Sequence, residues 1–224
     1  MQAVILAAGL GTRLRPLTNN TPKALVLVAG KRLVEYTLDN LPEEIDELVF
    51  VIGYLGEQIK NYFGDNYKGK KIVYIEQKEF LGTGQAVKLC QSVLKDRFLV
   101  LLGDVVYTRA DIEKCLRHKR CMLAAKVKGP VSAGKIIFNK NHELENIIEG
   151  RHNEKEVFIN VGLFVITKEF FNYDLVKLEG KNEYGLPQTL VKMSHDYPFK
   201  IEKTDFWLTV GDLDELERAE KILK

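Results

Sequence analysis

The sequence predicts an α/β fold: a Rossmann-like, doubly wound, mostly parallel mixed sheet with helices on both faces. Two observations predict it. Apolar runs of five or six residues recur through the first half, short enough for strands and apolar enough to be buried on both faces. Helix-patterned segments separate these runs, which is the alternation a parallel sheet requires. In such a sheet ligands lie at the carboxyl ends of the strands.

Taken in order, residues 3–8 form a continuous apolar strand, and a long polar loop follows to Lys23. A helical pattern covers 33–41, a second buried strand 47–52, and an amphipathic helix 54–63. Residues 71–76 give a third strand, 84–94 a third crossover helix, and 98–102 a fourth strand. Beyond about residue 120 the texture changes. Residues 122–128, 134–138 and 157–166 are strand-like, with a turn at 139–142, and 183–193 reads as helix. The chain closes with a short strand at 206–210 and a helix at 213–223. There is no internal repeat, low-complexity stretch or linker, so one domain over 1–224 is expected. Its two halves, about 1–115 and about 116–224, differ in texture.

Bulk properties narrow the class. A formal net charge of +2 without a basic stripe argues against a nucleic-acid partner. Cys90, Cys115 and Cys121 have no metal-type spacing and suit a reducing compartment as small buried side chains. The apolar start, residues 4–8, lacks a basic leader and ends at Gly9, too short for a secretory core or a membrane span. A cytoplasmic chain without a membrane partner is expected. His118, His142, His152 and His195 form no cluster and read as surface residues.

The chemistry concentrates after the first strand, in Leu6-Ala7-Ala8-Gly9-Leu10-Gly11-Thr12-Arg13, followed by Pro22-Lys23. Gly9 and Gly11 remove side chains so that backbone N–H groups can approach an anion. Arg13 and Lys23 add full positive charges to the same loop, and a triphosphate needs both kinds of contact. A P-loop would need Lys-Ser or Lys-Thr straight after its last glycine. A dinucleotide fingerprint would need glycine at Leu14 and an acidic residue where Gly53 closes the second strand. Neither pattern is met.

This loop resembles the signature of the sugar-phosphate nucleotidyltransferases, and four further motifs extend the resemblance over nearly the whole chain. It implies that Leu6, Ala8, Gly9, Gly11 and Thr12 wrap the triphosphate of an NTP. Arg13 would steady the pyrophosphate and Lys23 the reacting phosphates. Gln77, Gly82 and Thr83 resemble the base-reading motif, in which glutamine accompanies uracil or thymine; UTP is implied first and dTTP next. Asp104, ending the fourth strand, matches the family's first Mg²⁺ ligand, and Mg²⁺ favours one or two carboxylates plus phosphate oxygens.

The family's second metal aspartate falls at Thr209, whose hydroxyl is an available but poorer ligand. Asp212 and Asp205 lie close enough in sequence to substitute, and Asp212 serves equally well as the N-cap of the last helix. Gly134, Glu149 and Asn160 match positions that contact the acceptor sugar 1-phosphate, with Arg151 a replacement for a missing cation. Glu183 and Tyr184 resemble another family segment, with no contact assigned. The alternatives are cytidylyl or guanylyl transfer to phosphocholine or to a mannose- or heptose-type phosphate, and a catalytically weak nucleotide-sugar-binding regulator. Because residue 224 follows the closing helix directly, no fused β-helix acyltransferase domain, and so no second activity, is expected. Oligomeric state is not readable.

Overall fold

The computed structural model describes all residues, 1–224. Its main sheet and helices run in the order β1 (Gln2–Ala7), α1 (Leu33–Asp39), β2 (Glu47–Ile52), α2 (Gly56–Phe63), β3 (Asn66–Tyr67), β4 (Lys70–Glu76), α3 (Gly82–Leu89) and β5 (Arg97–Leu102). There follow α4 (Arg109–Leu116), β6 (Cys121–Lys128), β7 (Lys135–Phe138), β8 (Leu144–Ile148), β9 (Glu156–Thr167), α5 (Leu186–Ser194), β10 (Lys200–Thr204) and α6 (Leu213–Ile222). The strand order is β8-β7-β9-β5-β1-β2-β4-β3, with β6 beside β9 and β10 beside β6.

The sheet is mixed in the way the change of texture suggests. Strands β5, β1, β2 and β4 pair parallel. The long strand β9 is antiparallel to β5, β6 and β7, and only β10 returns parallel to β6. The apolar runs are continuous because both faces are covered. On β1, Ala3 and Ile5 pack with Val34, Leu38, Ile59 and Ile112 of α1, α2 and α4. Val4 points the other way, into Val87, Leu190 and Met193 of α3 and α5. A third, smaller cluster joins Leu14 of the glycine loop to Leu208, Val210 and Ala219 near the carboxyl end. That cluster fixes the loop against the last segment of the chain.

Several boundaries differ from expectation, each for a local reason. Helix α4 was not expected, since only Ile112, Cys115 and Leu116 give it an apolar face. Its signal is the cap: the Thr108 hydroxyl accepts from the Asp111 N–H at 3.1 Å. The helix expected over 183–193 starts at Leu186, because Tyr184 and Gly185 pair with Val176 and Lys177 and Pro187 sets the first turn. Helix α3 begins at Gly82 and ends at Leu89. Strands β8 and β10 escaped notice, and the strand expected at 206–210 shrinks to Leu208–Thr209, paired with Val105–Val106. The three cysteines are buried, as expected. No helix is long and apolar enough to cross a membrane.

Phe50 of β2 is fully buried and stacks on Phe63 at 5.3 Å between centroids. Phe50→Ala is expected to cost about 3–5 kcal/mol by leaving a cavity between β2 and α2. Urea denaturation measures this, and a loss below about 1 kcal/mol would contradict the packing described.

Candidate active site

Strand β1 lies between β5 and β2, so the chain moves outward from β1 to β4 and then jumps back across β1 to β5. Carboxyl-terminal loops diverge at such a reversal and leave a crevice. A cleft of about 490 Å³ opens there. All eight residues assigned to the nucleotide line it: Leu6, Ala8, Gly9, Gly11, Thr12, Gln77, Gly82 and Thr83. So do Lys23 and Asp104.

The two loop glycines do different work. At Gly9 nothing lies within 4 Å of where a Cβ would stand, so this position leaves open space beside the backbone. At Gly11 a Cβ would stand 2.9 Å from Thr18 Cγ2 and 3.3 Å from Lys23 Cβ. The Thr18 hydroxyl donates to the Gly11 carbonyl at 2.7 Å. Gly11 therefore closes the loop on itself and brings Lys23 to the cleft.

Lys23 Nζ forms an ion pair with Asp104 Oδ2. The side chains are 14% and 30% exposed, so the pair is partly withdrawn from water. Asp104 sits in the turn after β5, where the Gly103 N–H donates to the Leu6 carbonyl at 2.9 Å. The Val210 N–H donates to the Asp104 carbonyl at 3.0 Å, and Thr209 pairs with Val105. Thr209 thus stands in register beside the Asp104 turn. Asp212 is the N-cap of α6, its Oδ1 accepting from the Glu215 N–H at 2.9 Å. Asp205 is exposed. No group of three or more His, Cys, Asp or Glu side chains is gathered anywhere in the chain. The donor set fits a Mg²⁺ that arrives with a triphosphate and takes one protein carboxylate, rather than an ion caged by protein alone.

Arg13 is exposed, makes no ion pair, and lies outside the cleft lining. Its Nη2 is 3.1 Å from where a Gly211 Cβ would stand. Glu215 Oε2 accepts from the Gly211 N–H at 2.6 Å. Arg13 thus leans on the turn before α6, at the rim.

Gln77 is buried at 5% exposure. Its Nε2 donates to the Gly82 carbonyl at 3.1 Å and to Gln85 Oε1 at 2.6 Å. A carbonyl only accepts, so the amide nitrogen must face Gly82. The Gln77 Oε1 keeps no protein donor and stays available as an acceptor. Gly82 answers a different need from the one its motif suggests. It has φ +88°, and a Cβ there would stand 2.6 Å from the Tyr184 carbonyl oxygen. The absent side chain makes room for the second half of the chain to cross α3, where the Tyr184 N–H donates to the Leu81 carbonyl at 2.7 Å.

Three of the four acceptor-side candidates come together. A Cβ on Gly134 would stand 2.9 Å from Glu149 Oε1, and the Asn160 N–H donates to the Gly134 carbonyl at 2.8 Å. Asn160 lies where β9 breaks register against β6, and its Oδ1 accepts from the Gly162 N–H at 3.0 Å. Its amide NH₂ has no protein acceptor. At Gly162, φ is +79° and a Cβ would overlap Leu102. Arg151 is exposed and paired through its backbone with Ser132, on a hairpin beyond this group.

His152 corrects the surface reading given to all four histidines. It is 8% exposed, and its Nε2 lies 3.1 Å from the Ala133 carbonyl and 3.0 Å from that of Ile148. Two acceptors require Nε2–H, so the ring ties together the neighbours of Gly134 and Glu149. His118 is half-buried against Glu202 at 2.6 Å. Sequence reasoning also assigned no contact to Glu183 and Tyr184, which line the cleft with Phe80 and Leu178. The resemblance at Glu183 and Tyr184 is the one local signal, and it gave no position. Only the crossing over Gly82 brings them there.

A family model described as "Nucleotidyl transferase" matches residues 2–224. The chain belongs to the nucleotidyl transferase family. The bifunctional protein GlmU of Methanocaldococcus jannaschii is 31% identical over 225 residues, covering 100% of this chain and 54% of that protein. The UTP–glucose-1-phosphate uridylyltransferase AglF of Haloferax volcanii is 29% identical, covering 100% of this chain and 97% of its own. The D-glycero-alpha-D-manno-heptose 1-phosphate guanylyltransferase of Campylobacter jejuni is 33% identical over 77% of this chain and 78% of its own. The chain spans about half the length of the first curated relatives it matches. Solved structures 19–24% identical to it cover at least 98% of the chain with TM-scores of 0.74–0.82, which shows the shared fold.

The crossing at Gly82 yields a stability test in this family member. Gly82→Ala is expected to cost about 2 kcal/mol or more, from the left-handed backbone and the contact with Tyr184. Thermal unfolding of the variant measures it, and an unchanged Tm would contradict the close approach.

Proposed function

We propose that the chain is a magnesium-dependent sugar-1-phosphate nucleotidyltransferase, with UTP the favoured donor and dTTP next. The observation that carries the reading is the Lys23–Asp104 pair, set across the β1/β5 crevice beneath a glycine loop. A cation for phosphate, a carboxylate for a metal and open backbone at Gly9 meet in one cleft. Residues 1–115 would serve the nucleotide and 116–224 the acceptor, as one nucleotidyltransferase domain.

A phosphate oxygen of the sugar 1-phosphate attacks the α-phosphorus of the NTP. The bond from that phosphorus to its bridging oxygen breaks, and pyrophosphate leaves with the electron pair. The attacking oxygen is already anionic, so no general base is needed; the barrier is repulsion between phosphates. Asp104 would hold Mg²⁺, which supplies charge neutralisation at the phosphate oxygens when bound. Lys23, exchanging its carboxylate partner for phosphate, stabilises the reacting centre, and the loop N–H groups and Arg13 receive the pyrophosphate.

The base is assigned through Gln77. With Nε2 committed to Gly82 and Gln85, Oε1 offers only an acceptor. That suits the ring N–H of uracil or thymine, whereas cytosine, whose corresponding nitrogen is itself an acceptor, could meet it only through its exocyclic amine. Guanine also carries a ring N–H, and the heptose guanylyltransferase likeness keeps GTP as the second reading. AglF, similar over nearly both full lengths, supports UTP.

The test is pyrophosphate release with a panel of four NTPs against hexose, heptose and choline phosphates, with and without Mg²⁺. Release requiring Mg²⁺, UTP and a sugar 1-phosphate is expected. Nucleotide binding without turnover by any pair would instead support a nucleotide-sugar-binding regulator. Lys23→Ala is expected to lower kcat by about 10²–10³; turnover near that of the unaltered chain would remove its role. Gly9→Val separates binding from folding. Because the space beside Gly9 is open, Tm should hold within about 2 °C while NTP affinity falls on the order of tenfold. An unchanged affinity, measured by calorimetry, would move the triphosphate elsewhere.

A further inference from the structure

We propose that Gln188 is a positioning residue for the acceptor, fixing the Glu149 carboxylate so that one of its oxygens meets a sugar hydroxyl. The inference deepens the functional reading above and rests on it. Gln188 stands in the first turn of α5, directly after Pro187. Its Nε2 donates to Glu149 Oε1 at 2.8 Å, across 39 residues of sequence.

Two glycines leave the room in which this contact forms. A Cβ on Gly134 would crowd Glu149 Oε1 at 2.9 Å, and a Cβ on Gly185 would overlap Gln188 Oε1. Each member of the pair thus occupies the space that a glycine leaves empty. The amide also has a defined orientation, with Nε2 on the carboxylate and Oε1 over Gly185.

Glu149 is otherwise exposed, forms no ion pair, and its Oε2 receives no hydrogen bond from the protein. A carboxylate on a flexible exposed chain must lose rotamer freedom before it can bind a hydroxyl. Gln188 removes that freedom in advance, and His152 does the same for the backbone by tying Ile148 to Ala133. The support reaches the base side as well. The Leu186 N–H, two residues before Gln188, donates to the Thr83 hydroxyl at 3.1 Å. Helix α5 therefore touches both the base-reading helix α3 and the acceptor carboxylate. An exposed side-chain hydrogen bond of this kind contributes little to folding, so its loss should appear in substrate recognition and not in Tm.

The experiment compares steady-state pyrophosphate release by the unaltered chain, Gln188→Leu and Gln188→Glu. Gln188→Glu keeps the shape over Gly185 and replaces the donor by a like charge. We expect KM for the sugar 1-phosphate to rise about tenfold in Gln188→Leu and further in Gln188→Glu. KM for the NTP should stay within about twofold and Tm within about 2 °C. Glu149→Gln and Gln188→Leu should combine non-additively, because they remove one interaction. Release with an unchanged acceptor KM in both Gln188 variants overturns the positioning role alone. A fall in Tm with both KM values rising together also overturns it, in favour of a structural role. No release by the unaltered chain with any pair overturns the functional reading, and this role with it.

Discussion

The structure of the site depends on one opposition of charge, the Lys23 ammonium against the Asp104 carboxylate across the gap between β1 and β5. Each partner is brought there by backbone. Lys23 arrives because Gly11 lets the loop close onto it, and Asp104 because Gly103 and Val210 clamp its turn from both sides. A cation and an anion about 4 Å apart attract by a few kcal/mol at an effective dielectric near 20. Desolvation cancels part of that gain. The pair is therefore strong enough to pre-position both groups and, on the proposed reading, weak enough to be exchanged for a triphosphate and its metal. On the proposed reading, that balance lets the pair open for the reaction.

Around this pair, much of the site is assembled where glycines let one segment cross another. Gly82 admits the Tyr184 backbone over α3, Gly134 admits the Glu149 carboxylate, and Gly162 admits Leu102 beneath the break in β9. Each crossing joins a residue of the first half to one of the second, or two segments of the second half to each other. The cleft is consequently lined by both halves, with Glu183 and Tyr184 facing the glycine loop across it. On the proposed reading, donor and acceptor are oriented by the same contacts that hold the halves together.

The parallel core was legible because its strands are buried on both faces and so carry unbroken apolar runs; 47–52 matches β2 end to end. Helix α4 was missed because its apolar face is short, and β8 and β10 because charged residues interrupt them. The site divided along the same line. Residues contiguous in sequence, such as Gly9, Gly11, Gln77 and Asp104, were identified from motif and all reach the cleft. Residues brought in by long-range crossing were not: Tyr184 over Gly82, Gln188 on Glu149, His152 between two carbonyls. Asp212 shows the limit from the other direction. Its spacing allows both a metal ligand and a helix cap, and in the structure its Oδ1 caps α6 while its Oδ2 accepts no hydrogen bond from the protein.

A crystal structure of the chain with UTP and Mg²⁺ would test the central claim most directly. The account predicts the triphosphate along Gly9–Thr12, the ion on Asp104, and Lys23 moved from that carboxylate onto a phosphate oxygen. A triphosphate bound outside the β1/β5 crevice, with Lys23 and Asp104 still paired, would contradict it.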